Sequence, residues 1–254
     1  MMSVIRSEWI KFRTIRMNWV LGVIAVLFPL ATTVLFAWKA SGESPGAPVA
    51  PGEVFRFLGF TSVVLIMLAG VMGASSVTSE FGSNTIRPTF AATPRRSRVV
   101  IAKGIVSGGY VAVLTAIVLV ATMAATGAVL EGRDSATTFA DVPDLPAAAV
   151  GLVVFTVAFA LLGLAVGLLL KSTPGSVVLI VLWPLLVENL VGVVLGFAGI
   201  ENGSRWLPYG AGSVLWELEP RANSLGRWGG GAYFVGFTLV LLAIGTFVTS
   251  RRDA

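Results

Sequence analysis

The sequence of 254 residues contains no cysteine and no histidine. Disulfide bonds, metal or haem ligation by those residues, and catalysis by a cysteine or a serine–histidine pair are therefore excluded. Charged residues are also scarce, at 12% against roughly 25% in soluble domains, whereas 56% of the residues are hydrophobic. This composition indicates a membrane protein.

A phosphate-binding loop is also missing. Such a loop needs the pattern Gly-x-x-x-x-Gly-Lys-Ser/Thr, whose backbone amides and lysine surround the phosphates. The pair Lys171-Ser172 follows Leu170 and does not fit this pattern. We therefore expect no enzymatic activity and no bound cofactor in this chain, and no nucleic-acid partner.

Six apolar runs are each long enough to cross about 30 Å of hydrocarbon as a helix. They predict an all-α polytopic membrane protein with a single transmembrane domain over residues 1–254. Pairs of glycines four residues apart in three of the runs, such as Gly163 and Gly167, permit close helix packing. The predicted spans are 19–38, 57–78, 104–130, 147–170, 176–198 and 229–248.

The charged residues outside these runs separate into two sets of opposite sign. With six crossings both termini lie on one side, which carries twelve basic and three acidic residues, a net charge of +9. The other side carries six basic and nine acidic residues, a net charge of −3. Because basic residues concentrate on the cytoplasmic side, both termini are predicted to be cytoplasmic.

The segment before the first span has apolar residues at helical spacing and basic residues on the opposite flank. This pattern predicts an amphipathic helix over residues 3–18 that lies in the membrane interface. The alternative is a basic anchor that only orients the first span. The residues assigned to the helix include Ile5, Trp9, Lys11, Phe12, Arg13 and Arg16.

The connection between the second and third spans, residues 79–103, is basic and interrupted by Gly82, Pro88 and Pro94. Its apolar pair, Ile86 and Phe90, could press into a groove of a partner protein. The alternative is that its basic residues hold anionic lipid and set the topology. The candidate contact residues are Glu80, Phe81, Thr85, Ile86, Arg87, Phe90, Pro94, Arg95, Arg96 and Arg98.

Glu188 is the charged residue that lies inside an apolar run, and Asn189 beside it extends a polar site. A carboxylate within a span costs a few kcal/mol and is usually turned toward protein or water. Glu188 therefore either lines a translocation path or forms a proton-linked gate, or it pairs with a polar group of another helix or across a subunit interface. Pro184, one turn earlier, is expected to bend or loosen the helix.

Two segments resemble bacterial type-two ATP-binding-cassette (ABC) transporter permeases, especially those of actinobacteria. The first is Ser7-Glu8-Trp9-Ile10-Lys11-Phe12-Arg13-Thr14, followed by Arg16. The second is the loop with Ser79-Glu80-Phe81, Thr85-Ile86-Arg87, Ala91-Ala92-Thr93-Pro94-Arg95-Arg96, Arg98 and Ala102-Lys103. The resemblance implies a short cytoplasmic coupling helix in this loop that docks a separate ATPase. It also implies short external helices between the fifth and sixth spans, within residues 199–228. The aromatic residues there, Trp206, Tyr209, Trp216 and Trp228, would otherwise form an ordinary interfacial belt.

The resemblance implies an exporter subunit of the bacterial cytoplasmic membrane that moves an apolar or amphiphilic substrate, such as a lipid, peptide or drug. Two ATPase subunits would bind the ATP and Mg²⁺. A second permease, identical or related, would complete the path among membrane lipids. The alternative function is a stand-alone proton-coupled secondary transporter that uses Glu188. An intramembrane enzyme is the least supported function, because no second acid or base accompanies that carboxylate.

Overall fold

The structure, a computed structural model, describes residues 1–43, 50–83, 85, 96–132, 139–200 and 202–251. Within these ranges the chain is helical and has no β-strand. The helices are α1 (Met2–Thr14), α2 (Arg16–Glu43), α3 (Pro51–Gly82), α4 (Arg96–Glu131), α5 (Leu145–Leu170), α6 (Thr173–Leu182), α7 (Glu188–Phe197), α8 (Pro208–Ser213) and α9 (Arg227–Arg251). Short 3₁₀ turns lie at Phe139–Asp141, Gly203–Trp206 and Val214–Trp216.

Six helical stretches of the described chain are long and apolar enough to cross a membrane. They are α2, α3, α4, α5, the α6–α7 pair and α9, and we number them as the first to sixth spans. The α6–α7 pair is continuous because a π-helical turn, Trp183–Val187, joins its two halves. The prediction of an all-α polytopic membrane protein is confirmed.

The helices are longer than the apolar runs. For example, α4 begins at Arg96, well before Gly104, and α3 begins at Pro51, where the missing N–H of proline costs no helical hydrogen bond. Backbone hydrogen bonds continue the helix through polar residues, so an apolar run marks only part of it. The coupling helix is predicted within the connection at residues 79–103, of which residues 84 and 86–95 lie outside the described residues.

Helices α3 and α5 form the centre of the bundle, since they are the two most buried spans. They approach so closely that a Cβ atom on Gly73 would overlap the carbonyl group of Ala160, and one on Gly163 would overlap that of Gly70. Small residues at such contacts let membrane helices pack backbone to backbone. Phe155 of α5 adds an aromatic contact to this core: its ring lies 4.8 Å from that of Phe234 in α9, centroid to centroid, with the two planes tilted by 37°.

At each end of the bundle, residues that are distant in sequence are in contact. At the terminal end, where α1 lies, Lys171 sits 5.1 Å from the ring centroid of Phe81, and Thr173 donates a hydrogen bond to Thr78. At the far end, the guanidinium of Arg227 lies 3.6 Å from the carboxylate of Asp144. The segment between the fifth and sixth spans, with α8, belongs to the far end.

The predicted amphipathic helix ends earlier than residue 18. Helix α1 stops at Thr14, Ile15 is extended, and Arg16 already begins α2. The side of α1 that carries Phe12 packs on protein, with the Phe12 ring 5.1 Å from that of Tyr110 in α4, while Trp9 stays exposed. The apolar residues of α1 therefore serve partly to hold it against the bundle.

We predict that Gly163→Ala lowers the free energy of unfolding, because the added methyl group would meet the backbone of α3. Overpacking of this kind costs about 1–3 kcal/mol. The matched control is Gly109→Ala in α4, where nothing lies near the new Cβ atom and alanine favours the helix. SDS titration of the purified protein measures both variants, and equal stability of the two would contradict the proposed close contact.

Candidate functional site

A cluster of four charged side chains, Glu8, Lys11, Glu80 and Lys103, lies at the terminal end. The ammonium group of Lys103 donates hydrogen bonds to Glu8 Oε2 at 2.6 Å and to Glu80 Oε1 at 2.8 Å. Its third hydrogen bond goes to the carbonyl oxygen of Ser76 at 2.8 Å. Lys103 is only 3% exposed, and these three acceptors satisfy all three of its N–H donors.

Lys11 completes this charge cluster from the partly exposed side. Its ammonium nitrogen lies 2.9 Å from Glu8 Oε1 and 3.0 Å from Glu80 Oε1. Burial alone would lower the pKa of Lys11, but the hydrogen bonds to both carboxylates outweigh it and raise the pKa. Two positive and two negative charges balance, which is the condition under which buried ions are tolerated.

The charge cluster joins three parts of the chain that are far apart in sequence. Glu8 and Lys11 belong to α1, Glu80 to the last turn of α3, and Lys103 to the second turn of α4. Both ends of the connection at residues 79–103 are therefore anchored to the same point and to α1. A cavity of about 490 Å³ lies beside the cluster, and all four charged residues line it.

The structure locates five of the ten predicted contact residues of this connection, and these five lie in helices or beside a helix end. Glu80 and Phe81 lie inside α3, because the helix continues to Gly82. Thr85 is exposed and shares a hydrogen bond with Ser83, Arg96 begins α4, and Arg98 is exposed on α4. The others lie outside the described residues: Ile86, Arg87, Phe90, Pro94 and Arg95.

The sequence prediction counted Glu8 and Lys103 among the cytoplasmic charges and placed both in segments that resemble the permease family, but it gave neither a structural role. A signal was present for both. Lys103 is surrounded by apolar residues, from Val99 to Ala102 and from Gly104 onward, and Glu8 is an acidic residue in a basic helix. A lysine and a glutamate in such settings are candidates for a buried pair.

The second site is Glu188, at the first position of α7. Pro184 has no N–H, so the helix cannot keep its regular hydrogen bonds there, and the backbone N–H of Glu188 bonds to the carbonyl oxygen of Trp183 across the π-helical turn. The exposed Asn189 donates from Nδ2 to the carbonyl oxygens of Leu185 at 2.9 Å and Pro184 at 3.3 Å. Asn189 thus stabilises the turn.

The carboxylate of Glu188 binds the segment between the fifth and sixth spans. Its Oε1 accepts hydrogen bonds from the indole N–H of Trp183 at 3.0 Å and the backbone N–H of Tyr209 at 2.8 Å, and its Oε2 accepts one from the N–H of Gly210 at 2.9 Å. Glu188 is 6% exposed, so it faces protein. In the described part of the chain, no lysine or arginine forms an ion pair with it.

Two cavities meet at Glu188, and Pro184, Glu188 and Tyr209 line both. The larger cavity, of about 580 Å³, opens at the far end between polar residues such as Asn202, Ser204, Arg221 and Asn223. The smaller one, of about 170 Å³, is apolar and is lined by residues such as Phe159, Leu162, Trp183, Phe234 and Phe237. Glu188 therefore lies on the wall between a polar and an apolar space.

Tyr209 completes the contact between the fifth span and α8. Burial, followed by the negative charge of Glu188, raises the pKa of the Tyr209 phenol, so it stays neutral at physiological pH. Of the other aromatic residues predicted for this segment, Trp206 and Trp228 are exposed and Trp216 is partly buried.

In the described residues, no three carboxylates lie close enough together to hold a metal ion.

We predict that Lys103→Met destabilises the protein strongly. The substitution leaves two buried carboxylates with one partly exposed lysine, and loss of one partner of a buried ion pair costs about 3–5 kcal/mol. The control Arg98→Met removes an exposed charge five residues earlier on the same helix and should change stability by less than about 0.5 kcal/mol. The double variant Glu8→Gln/Lys103→Met restores neutrality and should be more stable than Lys103→Met. SDS titration distinguishes these outcomes, and a Lys103→Met protein as stable as Arg98→Met would rule out the charge cluster.

Comparison with known proteins gives one result that concerns most of the chain. The family model described as ABC-2 family transporter protein matches residues 4–185, more than two thirds of the sequence. The matched region includes α1, the charge cluster and the first four spans. Comparison with curated proteins gives no match. With the six apolar helices, the family match shows that the chain belongs to the ABC-2 transporter family and is a multi-pass membrane permease of an ABC transporter.

Proposed function

We propose that this permease is the membrane subunit of an exporter in the bacterial cytoplasmic membrane and docks a separate ATPase through its terminal end. Membership of the ABC-2 family implies association with ABC ATPase subunits. The observation that carries the docking proposal is the charge cluster, because it fixes both ends of the basic connection to α1. Force applied to the connection would reach α3 and α4 directly.

Within the proposed docking surface, Glu80 and the remaining loop residues have different tasks. Glu80 is 8% exposed and engaged by Lys11 and Lys103, so we assign it to positioning the connection. Direct contact with the ATPase falls to the apolar pair Ile86 and Phe90 and to the arginines around it. Those arginines are Arg87, Arg95, Arg96 and Arg98.

The proposed assembly contains two ATPase subunits, which bind ATP and Mg²⁺, and a second permease copy, identical or related. The fifth span supports a second copy because it is the least buried span. One side of it holds Glu188 against the protein, while large apolar side chains on other sides, such as Leu186, Leu190 and Phe197, remain uncovered. The cargo would be an apolar or amphiphilic molecule.

The alternative, a proton-coupled secondary transporter that uses Glu188, has less support from the geometry. The carboxylate accepts three hydrogen bonds and donates none. A residue that takes up and releases a proton in each transport cycle needs a nearby acceptor for the added proton, and the hydrogen-bond partners of Glu188 among the described residues are all donors.

The first test concerns the topology. Reporter fusions at Gly46, Ala92, Ser135 and Ala254 should give cytoplasmic signals at Ala92 and Ala254 and external signals at Gly46 and Ser135, because the basic residues are concentrated on the side of the termini. An external reporter at Ala92 would overturn the proposed docking surface, since the ATPase is cytoplasmic.

The second test concerns docking. The double variant Ile86→Ala/Phe90→Ala should weaken capture of the ATPase by about 2–4 kcal/mol if both side chains are buried at the interface. The matched control is Ile117→Ala/Phe60→Ala, which removes the same two residue types from exposed positions outside both the connection and the fifth span. Pull-down of the ATPase by correctly inserted permease measures both. Equal capture by the Ile86/Phe90 variant and the wild type would refute the assignment.

A further inference from the structure

The junction of the two cavities at Glu188 has no part in the proposed docking of the ATPase. It combines three features: a buried carboxylate, a polar space that opens at the far end, and an apolar space with aromatic walls. Each feature restricts the chemistry of a molecule that could occupy the junction.

The carboxylate restricts the charge. Its three hydrogen-bond donors are neutral groups, namely one indole and two backbone amides. A carboxylate has about four lone-pair sites, so one acceptor position remains. Because a buried negative charge is unfavourable unless it is compensated, a cation in the adjoining space would be attracted strongly.

The apolar cavity restricts the shape. Its volume of about 170 Å³ is slightly larger than that of an engineered apolar cavity of about 150 Å³ that binds benzene. It therefore accepts a phenyl ring or a short alkyl group. The rings of Trp183, Tyr209 and Phe237 line it, and aromatic faces attract ammonium groups.

We propose that the junction at Glu188 is a binding site for lipophilic cations, in which an ammonium group lies beside the carboxylate and an attached apolar group fills the aromatic-lined cavity. The inference rests on the proposed transport function, because a cation bound here would be cargo. It narrows the amphiphilic cargo to molecules that carry a positive charge.

The experiment uses two probes of the same shape, benzyltrimethylammonium and its neutral isostere neopentylbenzene. Binding to the full-length permease is measured in nanodiscs of phosphatidylcholine, and the signal of protein-free nanodiscs is subtracted. The wild type should bind the cation at least 10-fold more tightly than the isostere. Equal affinity for the two probes would overturn the proposal, and preference for the isostere would make the cavity a site for neutral apolar groups.

Two variants assign the binding to this junction. Glu188→Gln should weaken binding of the cation at least 10-fold and leave binding of neopentylbenzene unchanged, whereas a loosened α8 would affect both probes. Leu162→Phe, which fills the apolar cavity and leaves the carboxylate in place, should weaken binding of both probes. Its control is Val150→Phe, an exposed position on the same helix that lines neither cavity.

The variants keep the test decisive even if Glu188→Gln fails to insert, because the probe comparison and Leu162→Phe do not alter the carboxylate. Unchanged cation binding by Leu162→Phe, or by an inserted Glu188→Gln protein, would overturn the site. ATPase capture is measured on the same wild-type sample. Failure of cation binding with intact capture rejects this inference alone, whereas failure of capture rejects the proposed function.

Discussion

The buried ammonium group of Lys103 is the constraint on which the terminal end of the molecule depends. It donates hydrogen bonds to the buried carboxylates of both Glu8 and Glu80, and the loss of one partner of a buried ion pair is costly. Helix α1 therefore cannot leave the bundle without separating charges. The basic connection, α1 and the ends of α3 and α4 form one unit for this reason, and the proposed docking surface is built on that unit.

The far end follows the same logic with neutral donors in place of a cation. Pro184 interrupts the fifth span, the π-helical turn follows, and Glu188 then meets the first N–H groups of α8. Helix α8, whose residues Ala211, Gly212 and Ser213 are buried, is thus also held at its N-terminal end by one side chain from a span. At both ends, hydrogen bonds and ion pairs of polar residues connect particular helices, whereas the apolar residues mainly place the helices in a membrane.

The sequence predicted the helical spans and the inward-facing Glu188 because long apolar runs and the cost of a lone carboxylate in lipid are local properties. It did not predict the partners of Glu80, since Glu8 and Lys103 meet it only after three helices have packed. It also gave three equivalent glycine pairs. The structure brings Gly163 and Gly167 against α3, whereas no other α-helix among the described residues lies close to Gly192 and Gly196. Which of these glycine pairs lies at a close helix contact depends on tertiary packing, which the local sequence does not specify.

The electrical neutrality of the charge cluster has a consequence for how the protein responds to ionic strength. Salt screens exposed charges over about 8–10 Å at physiological concentrations but affects buried pairs much less. Exposed arginines such as Arg98 would lose their attraction for acidic partners or lipids as salt rises, while Glu8 and Lys103 stay together. Rising salt concentration can therefore detach acidic partners or lipids from the exposed arginines and leave the buried charge cluster beneath them intact.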